Sequence, residues 1–258
     1  MRKMTLLAAV ALLISGAGMA SAEICEGFGP QTPRDISSTV GENARHFSLA
    51  PAHTEMNLCN IHFHKQAEHK GPGFSVFKGE GEFGGYACND ADKLSRAEMK
   101  KPSGDVCGGL VPGDTIEVHW VHSSCDIKPG PTLGACLSDS CANPDLRVET
   151  QVFVLVNDSD AHDFAAFDAG KMANGMHQAK GIPSTTGTPV QFTGSTTGPS
   201  YTEQKCSPLQ VSWSVRPQCA KLDINSVAKW CESNVFDEKA AHGVRQLVTD
   251  PRLLSKIH

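Results

Sequence analysis

Apolar and polar positions alternate in several short runs of this chain, and a period of two predicts strands rather than helices. Between Met56 and Lys65 apolar residues alternate with histidines, so His62 and His64 face one way and Phe63 the other. In "DTIEVHWVHSS", opened by the turn signal Pro112-Gly113-Asp114, Glu117, His119 and Val121 share one face. Val118, Trp120 and His122 share the opposite face. "TQVFVLVND" is the most apolar strand candidate and is expected in the middle of a sheet. "FSVFKGEGEFGGYAC" reads as strand, glycine-rich turn, strand. "GIPSTTGTPVQFTGSTTGPSY" reads as a short strand between loops, and "PLQVSWSVRP" as a strand ended by Pro217.

The period changes after Leu222. Ile224, Val227, Ala228 and Cys231 fall at helical spacing behind Asp223, a capping residue. A second short helix is expected over 238–248, before Pro251, and one helical turn between Ala91 and Met99. No internal repeat or linker divides the chain. The pattern predicts a mainly β fold with a few short helices, in one domain over residues 23–258.

The N-terminus sets the expected compartment. Arg2 and Lys3 precede an apolar stretch from Thr5 to about Ile14, and Ala20-Ser21-Ala22 offers a small-residue cleavage site. Residues 1–22 therefore read as a signal peptide, with an apolar core too short for a membrane span. An exported protein, periplasmic or extracellular, is expected. A formal net charge of −5 without a basic cluster argues against nucleic acid or an anionic membrane as partner. All ten cysteines follow residue 22, and an even count in an exported chain predicts disulfides holding long loops. Cys136 and Cys141, across a short Ser/Asp loop, are the favoured local pair; spacing leaves the other pairings open.

Charge and export leave the histidines to carry the chemistry. His62 and His64 offer two imidazoles on one strand face, and a neighbouring strand presenting His119 would complete a three-histidine zinc site. Such a site keeps a position open for water, as hydrolysis or hydration requires. Glu117 is placed to orient His119 by accepting its other ring N–H. His69, His122 and His53 read as solvated or hydrogen-bonded surface residues.

"IHFHKQAEHK" followed by "IEVHWVHSS" resembles the paired histidine strands of the α-class carbonic anhydrases. "EMNLCNIHFHKQAEHK" is still more similar to the δ-class and δ-like enzymes, and "FTGSTTGPSYTEQKCSPLQVSWSV" resembles the α-class threonine segment and its following strand. The resemblance loosely covers residues 50–217. It implies a central, largely antiparallel sheet and a zinc enzyme interconverting carbon dioxide and bicarbonate. It further implies His62, His64 and His119 as metal ligands, with Glu117 as the partner of His119. Thr196 would accept from the metal's hydroxide and be held by Glu68, with Thr197 adjacent; a register step would exchange the two threonines. Val121 and Trp213 would help line the carbon dioxide pocket. No histidine sits at the α-class proton-shuttle position; His46 and His53 are candidates for that role, and the sequence does not choose between them. A Cys59–Cys206 bridge would tie the ligand strand to the threonine loop, with Cys125 or Cys219 as alternatives for either partner.

Two other readings fit part of the pattern. "HFHKQAE" has the cupin spacing His-x-His-x3-Glu, which would make Glu68 itself a ligand and point to iron or manganese with oxygen chemistry. A closed site completed by Glu68 or His69 would instead describe an exported, non-catalytic zinc protein.

Overall fold

The computed structural model describes residues 24–25, 27–196 and 202–257. The proposed signal segment and Thr197 lie outside that range. Nine strands and one α-helix are found among the described residues. They are β1 (Asn57–Lys65), β2 (Val76–Phe77), β3 (Tyr86–Ala87), β4 (Thr115–Ser123), β5 (Leu146–Val156), β6 (Ala169–Ala173), β7 (Met176–Ala179), β8 (Val190–Ser195), β9 (Gln210–Asp223) and α1 (Ile224–Glu232).

The central sheet has the order β1-β4-β5-β9-β8, with only the β5–β9 pair parallel. The apolar run of β5 sits at the centre, as its two-sided hydrophobicity requires. One face packs Phe63, Val118, Trp120, Phe153 and Leu155 against Ile224, Val227 and Trp230 of α1. Each such side chain contributes about 1.5–3 kcal/mol by leaving water. The opposite face carries Val121, Val148, Val152, Trp213 and Val215. Asp223 caps α1 by accepting from Asn225 N–H. The helix thus lies on the side away from His62, His64 and His119.

Several expectations need correction. Residues 238–248 form no helix, because their backbone groups bond outward instead of to the preceding turn. Lys65 N–H donates to His242 O, His242 N–H to Phe63 O, Val244 N–H to Glu82 O, and Val248 N–H to Pro33 O. The segment is pulled along the outer edge of β1 and covers it, as exposed strand edges generally are. Pro217 does not end its strand either. β9 continues to Asp223, and the register jumps from Thr150↔Val215 to Val152↔Cys219. Proline falls in that irregularity, where no ladder bond is asked of it. Ala91–Lys93 is a single 3-10 turn. A further hairpin, β6–β7, escaped the sequence reading; Asn174 (φ 53°) and Gly175 (φ 77°) form its turn, both in the left-handed region that Asn-Gly tolerates.

All ten cysteines are paired: Cys25–Cys206, Cys59–Cys136, Cys88–Cys219, Cys107–Cys231 and Cys125–Cys141. Neither the favoured Cys136–Cys141 pair nor the Cys59–Cys206 bridge implied by the resemblance forms. Cys136 is fully buried against β1 and meets Cys59, while Cys141 closes the loop back onto Cys125. Cys206 ties the threonine loop to the N-terminal segment through Cys25, not to the ligand strand.

Candidate metal centre

Antiparallel pairing of β1 with β4 sets His62 opposite His119 and His64 opposite Glu117. The period-two faces predicted from sequence therefore meet across one ladder. The three imidazoles of His62, His64 and His119 bring one ring nitrogen each to within 4.8 Å of one another.

Their other nitrogens are already committed. His62 Nδ1–H donates to Asn60 Oδ1 at 2.7 Å, His64 Nδ1–H to Gly243 O at 2.8 Å, and His119 Nε2–H to Glu117 Oε1 at 2.7 Å. All three acceptors are oxygens that can only accept, so each bond fixes the tautomer of its ring. That leaves His62 Nε2, His64 Nε2 and His119 Nδ1 with lone pairs. His119 Nδ1 and His62 Nε2 stand 3.3 Å apart. Two lone pairs at that separation suit a cation between them. Burial, and then the neighbouring His119 and His64, pushes the pKa of His62 well below its usual value. Burial likewise lowers His64 to about 4. Neutral imidazole is the form that binds metal.

Glu117 does more than the sequence indicated. The carboxylate is fully buried and also accepts from His69, through Nδ1–H at 2.8 Å and backbone N–H at 3.1 Å. Burial raises its pKa; the charge of His69 and the hydrogen bond from His119 outweigh that and hold it well below the carboxylate range. His69, expected at the surface, is completely buried beside Trp213, with ring centroids 4.8 Å apart. His122 is also buried, but on the far face of β4, where its Nδ1–H donates to Trp120 O.

Glu68 is buried and bound by Arg245, whose backbone N–H and Nε–H reach Oε1 (3.0 and 3.2 Å) and whose Nη2–H reaches Oε2 (3.0 Å). Burial raises its pKa, but Arg245 and then His64 reverse the effect and keep it ionised. Among the described residues, the groups able to hold a metal are His62/His64/His119 and His69/Glu117/His119; neither includes Glu68. That geometry gives no support to the cupin reading.

In front of the histidines lies a cavity of about 540 Å³. Asn60, Glu68, Pro131, Thr132, Leu133, Thr196, Phe236, Glu238, His242 and Arg245 are among its walls. Thr196, at the end of β8, faces the same cavity as Glu68; its N–H donates to Leu209 O. Val121 and Trp213 are buried in the apolar layer beneath, Trp213 with its ring 5.2 Å from His119. His242, which the sequence did not single out, stacks on His62 at 5.3 Å and donates Nε2–H to Glu238 Oε2 at 2.9 Å. Asn60 carried a readable signal, lying two residues before His62 on the same face. Gly243 and Arg245 carried none, because they arrive from the far end of the chain.

The sheet thus sets a three-imidazole cluster that could hold a metal ion against an open cavity. A family model for Delta carbonic anhydrase matches residues 53–226, and the chain belongs to that family. No curated protein and no solved structure gives a significant match to it.

Proposed function

We propose that the protein catalyses the reversible hydration of carbon dioxide to bicarbonate and a proton, on a zinc ion held by His62, His64 and His119. One observation carries the reading: three imidazoles, each fixed by a bond at its other nitrogen, converge on a cavity with no fourth protein ligand among the described residues. The donor set fits zinc, whose catalytic sites take three protein ligands and leave a position for water. When bound, zinc acidifies a water to a pKa of about 7, the figure that characterises carbonic anhydrases as a class, and so supplies a nucleophile at neutral pH.

The protein's own groups perform the rest. Asn60, Gly243 and Glu117 hold the imidazole planes. Glu68, kept ionised by Arg245, accepts the hydroxyl proton of Thr196 or Thr197, which turns that hydroxyl's lone pair toward the metal-side water. Pro131, Leu133 and Phe236 give uncharged substrate an apolar wall in the cavity, with Val121 and Trp213 forming the layer beneath. Residues 1–22 direct export as a signal peptide, leaving 23–258 as one catalytic domain. The five disulfides are consistent with that compartment.

Metal analysis of the purified protein, paired with stopped-flow carbon dioxide hydration, tests the proposal. The expected result is about one zinc per chain and hydration abolished in His119→Ala. A fully metallated chain with no hydration above buffer would leave only the non-catalytic zinc-binding reading.

A further inference from the structure

β1 carries two of the candidate ligands and is also the edge of its sheet. Its outer side is covered at one end by the 238–245 segment and at the other by the loop between β4 and β5. The register of β1 against β4 slips between Leu58 and Asn60, leaving Cys59 without a partner in the ladder. Such a bulge turns backbone groups away from the neighbouring strand. Cys59 O instead accepts from Gly130 N–H at 3.0 Å. Asn60 Nδ2–H donates to Gly130 O at 3.1 Å, while its Oδ1 holds His62 Nδ1–H. Cys59 is joined to Cys136, at the far end of the same loop, and both are fully buried.

The loop between those anchors, Pro131-Thr132-Leu133, forms part of the cavity wall. Thr132 holds φ +57°, a left-handed conformation that a β-branched residue adopts only when its surroundings impose it. Its side chain accepts from Gly134 N–H and caps the following 3-10 turn. A strained wall residue therefore sits between a disulfide and a glycine that is one hydrogen bond from the amide orienting His62.

We propose that residues 130–136 are a positioning element of the metal centre: the Cys59–Cys136 bridge and the Gly130–Asn60 bond fix the amide that aims His62, so loop order and metal affinity are coupled. Asn60 is the positioning residue through which the loop acts. Coupling of this kind is reciprocal, so metal binding must in turn order the loop. The inference rests on the assignment of His62 as a ligand.

The test uses the oxidised mature protein and measures Zn2+ and Co2+ affinity by chelator competition, with the visible spectrum of the Co2+ form as a second signature. Cys59→Ser/Cys136→Ser should lose about 10–100-fold in affinity, the usual effect of disturbing a ligand's orienting partner. Asn60→Ala should lose a similar factor, and the combined variant no more than the larger of the two, since both cut one link. Cys107→Ser/Cys231→Ser, which unties α1 on the opposite face, should stay within about threefold. Retained affinity in a folded Cys59→Ser/Cys136→Ser protein, or full additivity with Asn60→Ala, overturns the coupling. Hydrogen exchange on the wild-type chain needs no variant. Zinc should slow exchange of the 130–136 amides severalfold, and an unchanged loop overturns the proposal. A wild-type chain that binds neither ion fails at the first measurement and removes the metal-centre reading itself.

Discussion

Arg245→Ala should destabilise the protein in a way that depends on pH. Glu68 is wholly buried, and Arg245 supplies the backbone and guanidinium N–H groups that satisfy it. Truncation removes the guanidinium and strands a carboxylate in the interior. Breaking a buried pair from one side typically costs about 3–5 kcal/mol. That is a large share of the roughly 5–15 kcal/mol by which domains are stable. In the wild type the folded pKa of Glu68 lies below its ordinary value of 4.5, so the pair's contribution is present above pH 4.5 and is lost as pH falls through the lowered value. Without Arg245 burial dominates and raises that pKa, so the variant takes up a proton on folding and its deficit shrinks as pH falls. Urea denaturation of the zinc-free, oxidised protein at pH 7 and pH 4.5 measures both. The expected deficit is about 3–5 kcal/mol at pH 7 and clearly less at pH 4.5, with Glu68→Gln in the Arg245→Ala background recovering part of it. A loss below about 1 kcal/mol, or an equal loss at both pH values, would refute the buried-charge argument.

Other outcomes follow from the same geometry. His62→Ala, His64→Ala and His119→Ala should each lose metal and activity, while His122→Ala, altered on the far face of β4, should keep its metal; plasma emission analysis of dialysed protein decides. Glu68→Gln should retain about one zinc per chain yet slow turnover in stopped-flow assays, and loss of zinc would revive its role as a ligand. Glu117→Gln should weaken zinc by about 10–100-fold in chelator competition, because it loosens both His119 and His69. Non-reduced peptide mapping should recover Cys59 with Cys136 and Cys125 with Cys141; a Cys136–Cys141 peptide would contradict the loop's path.

What could be read from sequence was what strand periodicity controls. His62, His64, Glu117 and His119 lie in two short strands whose side chains alternate, so their faces followed from counting by two. α1 was legible for the same reason at a different period, with Asp223 as its cap. The misses share another origin. The 238–248 segment has residues compatible with a helix, but pairing with β1 and Glu82 satisfies its backbone better than an isolated turn would. His69 and Arg245 become interior only because Glu117 and Glu68 await them there, and no local pattern announces a partner so far away in sequence. Disulfide partners are likewise set by where loops return to the sheet; Cys136 lies close to Cys141 in sequence and bonds across to β1.

Catalysis on a zinc ion held by His62, His64 and His119 is decided by adding zinc to metal-free protein while following carbon dioxide hydration. Activity should rise linearly to a plateau at about one zinc per chain, with no rise in His119→Ala over the same range. Zinc bound at that stoichiometry without hydration, or hydration that persists in the metal-free chain, would contradict that reading.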